Sequence, residues 1–148
     1  MAASMTIEWN GAKVARAIEK RIGRMLDAAS LELQTIARHK ASVPAARIRK
    51  RRKRKTNRGK KGSQYTEFVG SKPGNPPMRR TGLGQRSIVR GRQGLVARVG
   101  YSRNAMYMMF HELGIRYGRG LQRRPTLVPA ATQGRARINA AARRAARK

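Results

Sequence analysis

One apolar row runs through the first third of the chain and largely decides what the rest can pack against. Its members recur at spacings of three and four residues: Val14, Ile18, Ile22, Met25, Leu26, Ala29, Leu33 and Ile36. This spacing places them on one face of an α-helix. Asn10 is a suitable N-cap, and Pro44 prevents the helix from continuing beyond about Ala41. We therefore predict a helix of roughly 30 residues and about 45 Å, which lies across the body or against a neighbouring subunit.

The net charge limits how compact the chain can be by itself. Lys and Arg number 36 against 6 Asp and Glu, which gives a formal net charge of +30 over 148 residues. Such self-repulsion destabilises a compact monomer unless an anionic partner neutralises it. Nucleic acid is the first candidate partner, and an acidic protein surface is the second. The length is enough for one core, so we predict a single domain over residues 1–148.

The positive charge is densest between residues 45 and 61, where 11 of 17 residues are Lys or Arg. We predict that residues 45–63 form a basic loop or arm that contacts nucleic acid or another polyanion, because they offer nothing from which to build a core. Such contacts to phosphates are sequence-independent and strongly salt-dependent. A solvated arm and a nuclear localisation signal are the alternatives. The predicted contact residues are Arg47, Arg49, Lys50, Arg51, Arg52, Lys53, Arg54, Lys55, Arg58, Lys60 and Lys61.

The remaining apolar segments are short. Residues 64–69 suit a short strand, and residues 86–90 and 95–99 suit a hairpin joined by Gly91-Arg92-Gln93-Gly94. We expect Ile88, with Val96 or Val99 opposite it, to face the core. This region of the chain therefore contributes a small, mainly antiparallel sheet.

Two further helices are predicted in the last third of the chain. A short helix near 104–113 ends at Gly114, and a C-terminal helix near 128–146 begins between Pro125 and Pro129. The C-terminal helix is again basic, with Arg135, Arg137, Arg143, Arg144, Arg147 and Lys148. The predicted fold class is α+β, with the long N-terminal helix packed on the small sheet.

Catalytic and metal sites find no support in the sequence. Cysteine is absent, which excludes disulfides, thiol catalysis and thiolate metal sites and fits a protein assembled in a reducing cytosol. His111-Glu112 begins a zinc-protease pattern, but Ile115 stands where the second histidine belongs. His39 has no acidic partner nearby in the sequence. We expect no catalytic, cofactor or metal site, no signal peptide and no membrane span.

Three strings in the second half of the chain occur in a recognisable order. They are PGNPPMRRTGLGQRSI at 73–88, YMMFHELG at 107–114 and RPTLVPA at 124–130. Together with the long N-terminal helix, they resemble a tail-component family of siphophages, encoded between the head-closure genes and the major tail tube gene. The resemblance covers about residues 6–145 apart from the basic insertion at 45–69. The matching positions are Pro77, Arg80, Thr81, Gly82, Leu83, Ser87, Ile88, Tyr107, Phe110, Glu112, Gly114, Arg124, Pro125, Leu127 and Pro129.

The resemblance implies a structural virion protein of the head–tail junction, or neck, of a long-tailed double-stranded-DNA phage. Such a protein completes the tail or joins it to the head, as a ring, with the tail's sixfold symmetry, around the DNA channel. Its implied partners are copies of itself, other neck and tail proteins, and phage DNA bound without sequence preference. We expect the motif residues to shape the fold, with Tyr107 and Phe110 packing the short helix on the sheet. The alternative is a cellular, sequence-independent nucleic-acid-binding protein of ribosomal or nucleoid type.

Overall fold

The computed structural model describes residues 10–51, 64–114 and 122–147. It has the predicted α+β architecture, with a long N-terminal helix on small antiparallel sheets and two further main helices. The elements are α1 (Gly11–Lys40), β1 (Arg47–Arg51), β2 (Gln64–Phe68), α2 (Leu83–Arg86), β3 (Ile88–Gln93), β4 (Val96–Tyr101), a 3₁₀ turn (Arg103–Ala105), α3 (Met106–Leu113) and α4 (Leu127–Ala146).

Helix α1 has the predicted bounds, but its apolar row is used unevenly. Ile36 near the C-terminal end is only 9% exposed, whereas Val14 and Ile18 near the other end are 56% and 53% exposed. Every residue from 12 to 21 is exposed. The row therefore builds the core of this chain only over the later part of α1.

Helix α4 packs antiparallel against that later part. Glu32 pairs with Arg137 at 2.7 Å, and Lys40 donates a hydrogen bond to Gln133. Between these contacts the helices approach closely, since a Cβ placed on Gly134 would lie 2.6 Å from Ile36 Cδ1. The antiparallel pairing leaves the first third of α1 beyond the end of α4.

The hairpin of β3 and β4 packs on a different face of α1 from α4, through Asp27, Gln34 and Arg38. Ile88 opposes Tyr101 at its base, and Gln93 opposes Val96 beside the Gly94-Leu95 turn, where Gly94 has a φ of 56°. A glycine with positive φ in the first turn position is typical of type II′ hairpins. The hairpin is thus confirmed, with its strands displaced toward higher numbers than the predicted 86–90 and 95–99.

Hydrogen bonds tie the hairpin to α1 at both ends. At the base, the carbonyl oxygen of Ile88 accepts from Gln34 Nε2 and Arg38 Nη2, both at 2.8 Å. Toward the tip, Arg92 Nε donates to Asp27 Oδ1 at 3.0 Å. The Ile88 side chain is completely buried, as predicted, and Val99 packs beside it, while Val96 remains 51% exposed.

A second two-stranded sheet pairs β1 with β2, with Arg47 opposite Phe68 and Arg51 opposite Gln64. Strand β2 was predicted, but β1 was not, because its basic sequence gave no apolar alternation. A parallel bridge between Pro44 and Arg79 joins the start of this sheet to the loop before α2. Residues 47–51 of the predicted arm, which include four of its cations, are therefore strand rather than loop.

Replacing Ile88 with alanine is expected to lower the free energy of unfolding by about 2 to 3 kcal/mol, since deleting a buried aliphatic side chain loses its transfer energy and leaves a cavity. Urea denaturation followed by circular dichroism measures the change. Val89→Ala, one residue along the same strand and 43% exposed, is the matched control. Equal losses for both variants would contradict the placement of Ile88 in the core.

Candidate interaction surfaces

The carboxylate of Glu112 joins two of the three motif strings. Glu112 stands in the last turn of α3 and is 8% exposed. Its Oε2 accepts from the backbone nitrogens of Thr126 at 2.6 Å and Leu127 at 3.1 Å, and its Oε1 accepts from that of Val128 at 2.9 Å. A negative group at a helix N-terminus satisfies the free N–H groups and interacts favourably with the helix dipole. Glu112 is thus the cap of α4, which has no side-chain cap of its own.

Tyr101 completes this buried cluster from strand β4. Its hydroxyl donates to Glu112 Oε2 at 3.0 Å. Burial raises the pKa of the Tyr101 hydroxyl above its usual range, and the neighbouring Glu112 carboxylate adds to the shift. Tyr101 therefore stays a neutral donor, and the hairpin, α3 and α4 meet at one carboxylate.

The Arg-Thr-Gly-x-Leu string forms the turn that begins α2. Gly82 has a φ of 79°, a conformation that favours glycine. Thr81 Oγ1 accepts from the backbone nitrogen of Leu83 at 3.3 Å, and Ser87 Oγ donates to the Gly84 carbonyl oxygen at the other end of the helix. These residues determine local shape, as the sequence analysis expected, although the helix itself was not predicted.

Helix α3 is rotated relative to the prediction. Tyr107 is 42% exposed and Phe110 is half-buried, whereas Met108 is 3% exposed. The expectation that Tyr107 packs on the sheet is wrong, because Met108 occupies the inward position. A Cβ on Gly84 would lie 2.7 Å from Met108 Sδ, so glycine in α2 is what lets this methionine pack inward. Gly114 ends α3 with a φ of 69°, as predicted.

A cavity of about 590 Å³ lies between the loop after β2, the α2 turn and α3. One part of its wall is apolar and includes Pro77, Met78, Leu83 and Tyr107. The other part is polar and cationic and includes Ser71, Arg79, Arg80, His111 and Arg124. The motif residues Pro77, Arg80, Thr81, Gly82, Leu83, Tyr107 and Arg124 thus share one concave surface, which the sequence did not reveal.

Three buried polar atoms in this wall have no hydrogen-bond partner among the described residues: Ser71 Oγ, His111 Nδ1 and Arg124 Nε. Ser71 is 5% exposed. Burial lowers the pKa of the His111 imidazole, and the nearby Arg124 guanidinium lowers it further.

The structure describes four of the eleven residues that were predicted to contact polyanions. Arg47, Arg49 and Lys50 are exposed on β1, and Lys50 pairs with Glu67 on β2. Arg51 ends the strand. The other predicted contact residues, Arg52, Lys53, Arg54, Lys55, Arg58, Lys60 and Lys61, lie outside the described residues.

A second basic surface comes from the helix pair. Arg143, Arg144 and Arg147 are exposed and line one shallow groove at the C-terminal end of α4. Because α4 runs antiparallel to α1, this groove lies toward the exposed N-terminal part of α1. That part adds the cations Lys13, Arg16, Lys20, Arg21 and Arg24, all of them exposed. One end of the helix pair therefore concentrates positive charge.

No cluster of three metal-ligating side chains occurs in residues 10–51, 64–114 and 122–147. Over the same ranges, no helix has the length and hydropathy that crossing a membrane needs. Comparisons with protein-family models, with curated proteins and with solved structures found no match to this chain. The functional interpretation therefore rests on the motifs and on the geometry of these surfaces.

Proposed function

We propose that this chain is a structural, non-enzymatic subunit of the head–tail junction of a long-tailed double-stranded-DNA phage. In this role it completes the tail or joins it to the head, as one subunit of a ring around the DNA channel. The tail's sixfold symmetry makes a hexamer the first choice. Neighbouring neck and tail proteins are its protein partners, and the assembled virion is its location.

The observation that carries the proposal is the exposed first third of α1. Residues 12–21 form a regular helix whose residues are all exposed in the described structure, yet they continue the apolar row with Val14 and Ile18. A helix gains most of its stability in a protein from packing an apolar face. An apolar row that extends beyond the core of its own chain is therefore suited to pack against a neighbouring subunit. A ring supplies such a neighbour.

The contacts of the motif residues also support the junction role. Their best-defined task is to hold shape, since Glu112 binds the start of α4 and Thr81 and Gly82 set the turn into α2. In a joining protein the fold and its contact surfaces are the function. This use of the motifs needs no substrate and no reaction.

A second candidate is a sequence-independent nucleic-acid-binding protein of ribosomal or nucleoid type. The groove of Arg143, Arg144 and Arg147 favours it, because cations clustered on one surface neutralise phosphates without reading bases. This candidate differs in predicting that nucleic acid is the main partner and that the chain has no role in particle assembly. In the junction role, the same cations face the DNA in the channel or acidic neighbouring proteins.

Disruption of the gene in its phage, followed by electron microscopy of the particles, tests the proposal. The expected result is filled heads and separate tails that fail to join, or joined particles that are not infectious. A wild-type copy supplied in trans restores infectivity. Normal infectious particles without the gene would refute the junction role and favour the second candidate.

Complementation with two variants then tests the exposed part of α1. Ile18→Asp places a charge in the apolar row. It is expected not to restore infectivity, because the row could no longer pack against the neighbouring subunit. Ala12→Asp places the same charge about 120° around the exposed helix from Ile18, outside the apolar row, and is expected to restore infectivity. Both positions are exposed, so neither change affects the core. Equal complementation by the two variants would contradict the use of this row in assembly.

A further inference from the structure

The cavity beside α2 has the chemistry of a binding site that neither the motifs nor the junction role assigns. Its wall buries Ser71 Oγ, His111 Nδ1 and Arg124 Nε without hydrogen-bond partners. Buried polar atoms in native proteins are nearly always satisfied, because an unpaired one loses its hydration without compensation. Three such atoms around one cavity indicate that a bound group supplies the missing partners.

The atoms also define what that group must carry. An arginine Nε–H only donates, so its partner must be an acceptor, and a serine hydroxyl can donate to the same acceptor. The guanidinium of Arg124 lies against the chain just before Ser71, since a Cβ on Gly70 would be 3.8 Å from Arg124 Nη2. Arg79 adds an exposed positive charge to the same wall. The site therefore selects an anionic oxygen group.

The rest of the wall distinguishes a carboxylate on a peptide from a nucleic-acid phosphate. Pro77, Met78, Leu83 and Tyr107 present apolar surface directly beside the cations. A phosphate backbone gains little from such surface, whereas a peptide places apolar side chains next to an acidic one. Concave sites of several hundred cubic ångströms that combine an apolar lining with a few polar groups are typical of specific binding sites.

The chain's own acids are mostly engaged elsewhere. Asp27 pairs with Arg92, Glu32 with Arg137 and Glu67 with Lys50, while Glu112 caps α4. With a net charge of +30, the chain is also complementary to an acidic partner as a whole. A separate protein is the natural source of the carboxylate.

We propose that this cavity binds an acidic peptide segment of a partner protein. An aspartate or glutamate carboxylate lies beside Arg124 and Ser71, and the apolar residues next to it pack against Leu83 and Tyr107. The proposal does not depend on the phage role, because it concerns a protein partner for a cavity that is distinct from the basic surfaces of β1 and α4.

Fluorescence anisotropy with a short labelled peptide of alternating leucine and glutamate tests the proposal at physiological ionic strength. The full-length protein is expected to bind it at least about tenfold more tightly than the peptide with glutamine in place of glutamate, since hydrogen bonds to a charged group contribute roughly 1.5 to 3 kcal/mol each. Equal binding of the two peptides would overturn the proposal. A second combination of results would overturn it too: an unlabelled DNA duplex displaces the acidic peptide, and the Arg79→Glu substitution leaves the affinity for that peptide unchanged. The peptide would then occupy a general basic surface.

Two variants with the same change of charge locate the site. Arg79→Glu, in the cavity wall, is expected to raise the Kd for the acidic peptide about tenfold or more. Arg98→Glu, on the exposed face of β4, is the matched control and is expected to change the Kd less than about twofold. Both side chains are exposed, and circular dichroism verifies that both variants fold. Equal losses would show that the peptide responds only to net charge, which would refute the cavity as its site.

Discussion

Replacing Glu112 with alanine is expected to lower the free energy of unfolding by about 3 to 5 kcal/mol, a loss at the upper end of what single substitutions cause. The substitution removes the acceptor for three backbone N–H groups at the start of α4 and for the hydroxyl of Tyr101. These donors are left in a buried or partly buried place, where an unpaired group is poorly hydrated. The hairpin, α3 and α4 would lose their common anchor at once.

Urea denaturation followed by circular dichroism measures this loss, with two variants for comparison. Glu112→Gln keeps one acceptor oxygen in nearly the same volume, so its loss should be about half as large, and it gives a measurable transition if Glu112→Ala does not fold. Glu67→Ala removes a glutamate from an exposed ion pair with Lys50 and is expected to cost less than about 1 kcal/mol. A loss for Glu112→Ala no larger than for Glu67→Ala would contradict the capping role.

Binding of a short DNA duplex is expected to weaken roughly 10³-fold or more between 50 and 200 mM salt, because cations that neutralise six or more phosphates release a matching number of counterions. Changing Arg143, Arg144 and Arg147 together to glutamine should make the slope of log K against log salt shallower by about 2 to 3 units. At 0.1 M salt the same change should reduce affinity by roughly a hundredfold to a thousandfold. Fluorescence anisotropy across a salt series measures both quantities.

A triple variant with the same change of charge separates the groove from net charge. Lys72, Arg98 and Arg103 are exposed cations on other elements, and their joint replacement by glutamine should alter the slope by less than about 1 unit. If both triple variants change the slope equally, the DNA binds all over the protein and the α4 groove has no special part in it.

The elements predicted correctly are those set by local sequence. The apolar spacing of α1, the glycine that ends α3, the prolines around the start of α4 and the turn glycine of the hairpin each act within a few residues. Ile88 was placed in the core for the same reason, since it is the large apolar residue at the start of β3. Such signals determine which elements exist and, within a few residues, where they end.

What the sequence did not reveal depends on contacts between distant segments. Strand β1 has a basic sequence and forms by pairing with β2, so its own residues carry no strand signal. Whether Tyr107 or Met108 points inward depends on the space left by Gly84, some twenty residues earlier. Which members of the α1 row stay exposed, namely Val14 and Ile18, is likewise decided by where α4 ends.

The candidate sites, too, were predictable where local sequence determines them and not where distant segments meet. Glu112 was identified as a motif residue, but its role required the position of α4 relative to α3. The cavity is built from segments around residues 70, 80, 107 and 124, which no spacing rule connects. The basic residues were evident from composition alone, whereas their concentration at one end of the helix pair follows from the antiparallel packing of α1 and α4.

The most direct test of the junction role is electron cryo-microscopy of purified wild-type virions. If the chain has the junction role, we expect a ring of this fold at the head–tail junction. The antiparallel pair of a 30-residue and a 20-residue helix would identify it. In that ring, the first third of α1 packs on the next subunit, and the arginines of α4 face the DNA or an acidic neighbour. A junction whose density is fully explained by other proteins, together with the absence of this chain from the purified particles, would contradict it.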